Sequence, residues 1–246
     1  MRELTMSLPL KLLLLASVLS ASTSSWAAIA LDRTRAIFPG NEKSISLTVT
    51  NENKQKPYLA QAWLEDKDGK KISSPFMVTP PVQRVEPGKK SMVRINALPD
   101  TASLPQDRES VYWFSVREVP PKSDRANVLQ VALQTRIKLF YRPAAIMPER
   151  FTRWDDQLIL HRVSGGFRIE NPTPYYMTVI SISGAAKKID HDFKPVMIPP
   201  KSSATVKTIS TSTPYVTTIN DFGGKPTLEY RCSGDICKSI LPASKA

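Results

Sequence analysis

The sequence predicts an all-β protein made of two immunoglobulin-like β-sandwich domains. Three observations favour this fold class. Short segments alternate apolar and polar residues with a period of two, turn residues separate these segments, and no useful helical apolar period follows the first 27 residues. The chain has 21 prolines and only 9 glycines, which suits short strands between turns. Its 246 residues leave room for two domains of about 100 residues each.

The N-terminal segment has the pattern of a secretory signal. Arg2 and Lys11 precede an apolar run over residues 12–19, and small residues follow up to Ala27. We therefore expect a signal peptide over residues 1–27, followed by the mature chain. The apolar run is shorter than the roughly 18 residues that a membrane helix needs, so we expect no membrane insertion.

The net charge of +12 makes the chain strongly basic, and loss of the signal segment lowers it to +11. Lysines and arginines are scattered along strands and turns, with no basic run interleaved with aromatic residues and no nucleic-acid motif. We therefore expect no nucleic-acid partner. Acidic proteins, anionic surfaces or a buried carboxylate are better counterparts for this charge.

Seven strands are predicted in the first domain, residues 28–143. They cover Ala28–Phe38, Ser44–Asn51, Tyr58–Leu64, Phe76–Thr79, Ser91–Ile95, Val111–Val119 and about Val128–Tyr141. Turn chemistry at Pro39-Gly40 and Pro87-Gly88 separates four of these strands. Seven strands at such spacings are typical of an immunoglobulin-like sandwich, and Pro143 ends the domain because proline cannot continue a ladder.

Six short strands are predicted in the second domain, residues 144–246. They cover Leu158–His161, Gly166–Glu170, Tyr176–Ile182, Ser203–Lys207, Val216–Asn220 and Thr227–Arg231. A second sandwich is the simplest account of this pattern.

The predicted strand over residues 128–141 is unusually long. Leu129, Val131 and Leu133 begin an apolar row that continues at Ile137 and Leu139. Two interpretations are open, because the row could lie in the core of its own domain or be offered to another chain.

The two cysteines, Cys232 and Cys237, are expected to form a disulfide because the chain is exported. The loop between them is short, so the bond would stabilise the fold by only about 2 kcal/mol and act as a local clamp.

No catalytic, metal-binding or cofactor motif is present in the sequence. His161 and His191 are the only histidines and suit surface or packing positions. Asp155 and Asp156 have no spacing that separates them from solvated loop charges. We therefore expect a protein without catalytic residues, metal or cofactor.

Several motifs resemble one known family. They are Leu31–Arg35, Pro80–Gly88, Ser91–Arg94, Leu104–Glu109, Ile137–Pro143, Ile169–Tyr176 and Asn220–Gly224. Together they resemble, in order and along the whole mature chain, the periplasmic chaperones of chaperone-usher pili. The resemblance implies two sandwiches arranged as a boomerang, with an interdomain cleft that receives a pilin subunit.

The resemblance also implies roles for particular residues. Arg35 and Lys138 match the cleft cations that anchor the subunit's C-terminal carboxylate. Leu129, Val131 and Leu133 match the row that the family lends to an unfinished pilin sandwich.

Glu109, Arg142 and Asp221 match a charge trio that links the two domains in the family. Because a surface ion pair contributes little stability, we expect this trio to set the domain orientation.

The expected partners are pilin subunits, an adhesin and an outer-membrane usher, with self-association of the free protein also open. The expected location is the periplasm. The alternatives are a secreted β-sandwich adhesin or carbohydrate-binding module, which would need neither cleft cation, and a hydrolase that uses acidic residues.

Overall fold

The structure, a computed structural model, describes residues 28–124, 127–149, 152–186, 188–209 and 211–240. In these ranges the chain forms β-strands and short 3-10 turns, in agreement with the all-β prediction. None of the helical turns there is long or apolar enough to cross a membrane. The predicted signal peptide, residues 1–27, lies outside the described residues.

The strands of the described residues are named in chain order. They are β1 Ile29–Leu31, β2 Arg35–Pro39, β3 Ser44–Asn51, β4 Tyr58–Glu65, β5 Lys71–Ile72, β6 Phe76–Thr79, β7 Val82–Val85, β8 Lys90–Ala97, β9 Ser110–Val119, β10 Gln134–Arg142, β11 Ile159–Val163, β12 Gly166–Asn171, β13 Met177–Ser183, β14 Val196–Ile198, β15 Ser202–Lys207, β16 Tyr215–Ile219, β17 Thr227–Ser233 and β18 Ile236–Ser239. The 3-10 turns cover Pro99–Ser103, Ala144–Ile146 and Asp155–Gln157. Strands β5, β7, β14 and β18 were not predicted. Each has only two to four residues, which leaves little alternation to recognise, and of the separate segments this short only Phe76–Thr79 was predicted.

Strands β1 to β10 form two sheets around one core. The smaller sheet has the order β1-β3-β8-β6, and the larger has the order β2-β10-β9-β4-β5, with β7 also paired to β4. In β3 the alternation places Leu47 and Val49 in the core, while Ser46 faces outward. Phe38 and Phe76 pack against each other in the same core, with ring centroids 4.9 Å apart. This is the sandwich that the period-two pattern predicts.

The predicted first strand, residues 28–38, is wrong as a single element. It is two strands in different sheets, because β1 pairs antiparallel with β3 whereas β2 pairs parallel with β10. Both pieces bury side chains in the same core, Ile29 from β1 and Ala36 from β2. The core-facing positions are odd in β1 (Ile29, Leu31) and even in β2 (Ala36, Phe38), so the alternation changes phase where the chain changes sheet.

The predicted long strand is also shorter than expected, since β10 begins at Gln134 instead of about Val128. Gln134 pairs with Arg117 near the end of β9, and β2 reaches back along β10 only as far as Lys138. Leu133 still bonds to β9, because its carbonyl accepts from the Glu118 N–H at 3.0 Å and its N–H donates to Glu118 Oε1 at 3.4 Å. Residues 128–132 have no strand partner among the described residues. Without a neighbour, their alternation does not make a strand.

Strands β11 to β18 form the second sandwich. They pair in the order β14-β13-β16-β17-β18-β11-β12-β15. Strand β17 joins the two layers, because residues 227–229 pair with β16 and residues 230–233 pair with β18. The fully buried Tyr230 lies in the core, and its hydroxyl donates to the Asp155 carbonyl oxygen at 2.6 Å.

The disulfide between Cys232 and Cys237 is present, as predicted. The two cysteines face each other across β17 and β18, and Cys237 is fully buried. The bond therefore closes one hairpin of the second domain.

Arg142 links the two domains at the end of β10. Its Nε donates to Glu109 Oε1 at 2.8 Å, and its Nη1 donates to Asp221 Oδ2 at 2.8 Å. Burial by itself lowers the Arg142 pKa, but the charges of Glu109 and Asp221 outweigh it and raise that pKa. The Arg142 and Glu109 side chains are only 5% and 2% exposed. Arg142 and Glu109 are therefore buried, while the Asp221 side chain is 23% exposed, so the expectation of a surface ion pair is wrong for the Arg142–Glu109 pair.

Glu109 is itself held by the second domain. Its Oε2 accepts a bond from the Tyr176 N–H at 2.7 Å, and its own N–H donates to the Pro174 carbonyl at 2.9 Å. The Arg142 guanidinium also lies 4.8 Å from the Tyr175 ring centre. Because each charge has several partners, the contact can hold one domain orientation.

Removing the disulfide should have a small, local effect. The double variant Cys232→Ala/Cys237→Ala should lose about 2 kcal/mol of unfolding free energy, because the bond closes a short loop. Urea denaturation of the variant and the oxidised wild type measures this difference. A variant that fails to fold would contradict a local clamp.

Breaking the interdomain ion pair should be much more costly. Glu109→Gln leaves the buried Arg142 without one carboxylate and should lose about 3 to 5 kcal/mol of unfolding free energy. The matched control is Asp107→Asn, which removes a carboxylate from an exposed pair with Lys201 and should change little. Urea denaturation measures the unfolding free energy of both variants. Equal losses would show that the buried Arg142–Glu109 pair contributes no more than the exposed pair.

Candidate functional site

Arg35 and Lys138 lie side by side because β2 and β10 are parallel and pair these two residues directly. Arg35 Nη1 donates to the Ile219 carbonyl oxygen at 3.2 Å, and Lys138 Nζ donates to Thr178 Oγ1 at 3.3 Å. Both acceptors belong to the second domain. The two cations of the first domain therefore lie in the cleft between the domains.

The surroundings of the two cations favour a negatively charged ligand. Arg35 is buried, and burial lowers its pKa although Asp221 and Glu109 oppose this. Burial lowers the pKa of Lys138 most, and the nearby charge of Arg35 lowers it further. Arg35 Nε is also buried without a hydrogen-bond partner among the described residues. A carboxylate placed here would relieve both the lost hydration and the mutual repulsion.

Arg136 shares the outer face of β10 with Lys138 but is engaged elsewhere. Its Nε donates to Glu65 Oε2 at 2.8 Å, and its guanidinium lies 4.0 Å from the Trp113 ring centre. Glu65 is buried and also accepts bonds from Trp63 Nε1 and Ser115 Oγ. Of the two basic residues on this face, Lys138 is thus the one directed to the second domain.

The apolar row before β10 is exposed. Leu129 is 89% exposed, Val131 63% and Leu133 41%. These side chains directly precede the strand that carries Lys138, so the row and the cations belong to one continuous segment. Of the two interpretations of this row, packing in its own domain core does not fit these exposures. A row of apolar side chains left in water typically marks a binding surface.

Some features of the site carry no sequence signal. Thr178 and Ile219 hold the two cations, yet neither belongs to a recognisable motif, because their roles follow from the docking of one domain on the other. Phe222 is 97% exposed at the cleft. It lies in the Asn220–Gly224 motif, in which the sequence assigned a role only to Asp221.

The acidic residues considered for catalysis have structural partners. Asp155 and Asp156 are buried and are therefore not solvated loop charges. Asp155 pairs with Arg153 at 2.8 Å, and His161 bonds to Glu170 at 2.8 Å. In the described ranges there is no group of three or more residues that could hold a metal ion.

Two family models cover most of the chain. Residues 28–147 match the pili and flagellar-assembly chaperone, PapD N-terminal domain. Residues 153–230 match the pili assembly chaperone PapD, C-terminal domain.

Individual relatives agree with the family models. Chaperone protein PapD of Escherichia coli is 55% identical over 229 residues, which cover 92% of this chain and 96% of the relative. The crystal structure of the periplasmic chaperone SfaE is 34% identical, with a TM-score of 0.67, and covers 82% of this chain and 98% of its own. The Salmonella enterica SafB chaperone, solved in complex with the SafA pilin, is 27% identical with a TM-score of 0.71 and covers 85% of this chain and 99% of the matched one.

These matches agree with the resemblance carried by the sequence motifs, and they do not favour an adhesin or a carbohydrate-binding module. The two family models together match both immunoglobulin-like domains. The chain belongs to the PapD family of pilus assembly chaperones.

Proposed function

We propose that this chaperone holds a pilin subunit in its interdomain cleft, in the periplasm, and delivers it to an outer-membrane usher. Arg35 and Lys138 bind the C-terminal carboxylate of the subunit. Residues 128–133 pair with the open sheet edge of the subunit. The observation that carries this proposal is the exposed apolar row, which runs directly into the strand that bears Lys138.

The carboxylate contact would supply both affinity and position. Each charge-assisted hydrogen bond to a partly buried cation contributes about 1.5 to 3 kcal/mol. Because Arg35 and Lys138 are directly paired across two strands, a single carboxylate can contact both. One anchored end would set the register of the subunit along residues 128–133.

The apolar row would complete the subunit. Leu129, Val131 and Leu133 lie two residues apart, so an extended backbone places all three side chains on one side. That side would face a groove in the partner. Burying three such side chains gives a gross gain of about 5 to 9 kcal/mol before the cost of association. The main chain of the same residues would satisfy the subunit's unpaired strand edge.

The remaining parts of the proposal rest on the relatives. SafB was solved with a pilin and SfaE is described as periplasmic, which supports a pilin partner and the same compartment. A tip adhesin would use the same cleft, and the free chaperone could self-associate through its exposed row. We propose no catalytic step and no cofactor, since the relatives are chaperones.

Removing either cleft cation should weaken subunit capture. Arg35→Ala or Lys138→Ala should lower the affinity about tenfold to a hundredfold, because a charge-assisted bond of about 1.5 to 3 kcal/mol is lost. Co-purification of a co-expressed pilin from the periplasm measures capture, and thermal unfolding checks that the variant is folded. Lys207→Ala, at an exposed basic position of β15, is the control and should behave as wild type. Unchanged capture by both cleft variants would refute the anchor.

A charge in the apolar row should block pairing with the subunit. Val131→Glu should reduce pilin capture by about tenfold or more, because the carboxylate would enter an apolar groove. Val131 is exposed in the free protein, so the thermal stability of the chaperone should stay unchanged. Val163→Glu changes an exposed valine of β11 in the same way and should leave capture intact. If the two variants capture pilin equally well, residues 128–133 do not bind the subunit.

A further inference from the structure

Phe222 is the most exposed large apolar side chain in the described residues, at 97%. Single exposed apolar residues are common on protein surfaces, so exposure alone assigns no role. Phe222 differs from other exposed apolar residues in two ways. It lies at the cleft, and the turn that carries it is rigid.

The turn around Phe222 is held firmly by its own hydrogen bonds. Asn220 Oδ1 accepts bonds from the N–H groups of Phe222 at 3.1 Å and Gly224 at 2.8 Å. Gly223 has a positive φ of 80°, and a Cβ there would lie 2.7 Å from Thr34 Oγ1 of the first domain. The turn is therefore fixed against the first domain, and it presents Phe222 in a defined position.

Phe222 stands between two cavities. One cavity of about 430 Å³ is lined by both domains and contains Arg35 and Ile37. The other, of about 420 Å³, lies on the second domain and contains Met177 and Ile219. Phe222 borders both cavities. An apolar surface therefore lies next to Arg35, the cation proposed to bind the carboxylate.

The second cavity suits an apolar group. Its lining includes Trp154, Met177, Ile219 and Phe222. The charged residues in the lining are paired, Arg153 with Asp155 at 2.8 Å and Asp221 with Arg142 at 2.8 Å. The cavity adjoins the anchor, because Ile219 lines the cavity and its carbonyl accepts the bond from Arg35 Nη1. If Arg35 binds the C-terminal carboxylate of a subunit, the side chains near that terminus therefore lie against the apolar lining of this cavity.

We propose that Phe222, with Met177 and Ile219, forms a subsite for an apolar side chain at the C-terminal end of the bound subunit. This inference rests on the proposed function, since it takes the occupant to be the chain whose carboxylate Arg35 holds. The cations would recognise any free C-terminus. The Phe222 subsite would select among subunits by the side chains beside that terminus.

The test uses the full mature chaperone and two synthetic peptides with a free C-terminal carboxylate. Both peptides alternate apolar and polar residues, and they differ only in having leucine or serine at the last two positions. Titration calorimetry with wild type should show tighter binding of the leucine peptide. Phe222→Ala should weaken the leucine peptide about tenfold to a hundredfold and leave the serine peptide unchanged, because only the former buries an apolar side chain there.

Two controls separate this inference from the proposed function. Ile236→Ala changes an exposed apolar residue of the disulfide hairpin and should bind both peptides as wild type does. Arg35→Ala should weaken both peptides equally, because it removes the carboxylate contact. Phe222→Ala should also keep the wild-type melting temperature, since the side chain is exposed.

The possible outcomes are distinct. If Phe222→Ala binds the leucine peptide as tightly as wild type, or weakens both peptides equally, the subsite is overturned, and the anchor stands when Arg35→Ala still weakens both peptides. If Arg35→Ala changes neither peptide but Phe222→Ala abolishes the preference for leucine, the anchor is overturned and the subsite stands. Wild type that binds neither peptide overturns both.

Discussion

The parallel pairing of β2 with β10 is the constraint on which the rest of the cleft depends. Parallel strands cannot be joined by a tight hairpin, so β2 has to come from a distant part of the chain. Here the change of sheet after β1 delivers it to the edge of the larger sheet. Arg35 and Lys138 are then directly paired, although about a hundred residues of sequence separate them.

The two domains must also be held at one angle for this pair to face a cleft. We propose that the buried Arg142 does this at the end of the same strand, where it bonds to Glu109 of the first domain and Asp221 of the second. Asp221 adjoins Phe222, so the ion pair and the exposed turn are one structural unit. A buried ion pair often adds little net stability compared with apolar packing, but it tolerates few other arrangements. Its contribution here is best understood as fixing geometry.

The exposed row over residues 128–133 has a cost and a use. Leaving Leu129 and Val131 in water forgoes the stabilisation that burial would bring, and it creates a surface prone to association. Such a surface is expected in a protein that has to cover a partner reversibly. Its location at the start of β10 couples partner binding to the strand that carries Lys138, so the proposed anchor and the proposed row act on the same guest.

The sequence by itself determined the all-β class, most of the strands, the disulfide and the family. These follow from local alternation, turn residues and ordered motifs, which are properties of neighbouring residues. Only the tertiary structure decided that residues 28–38 form two strands, that residues 128–133 form no strand, and that Asp155 is buried. It also decided that Phe222 is presented at the cleft. The reason is physical: which strand lies beside a segment, and which side chain another domain covers, depends on residues far apart in the chain.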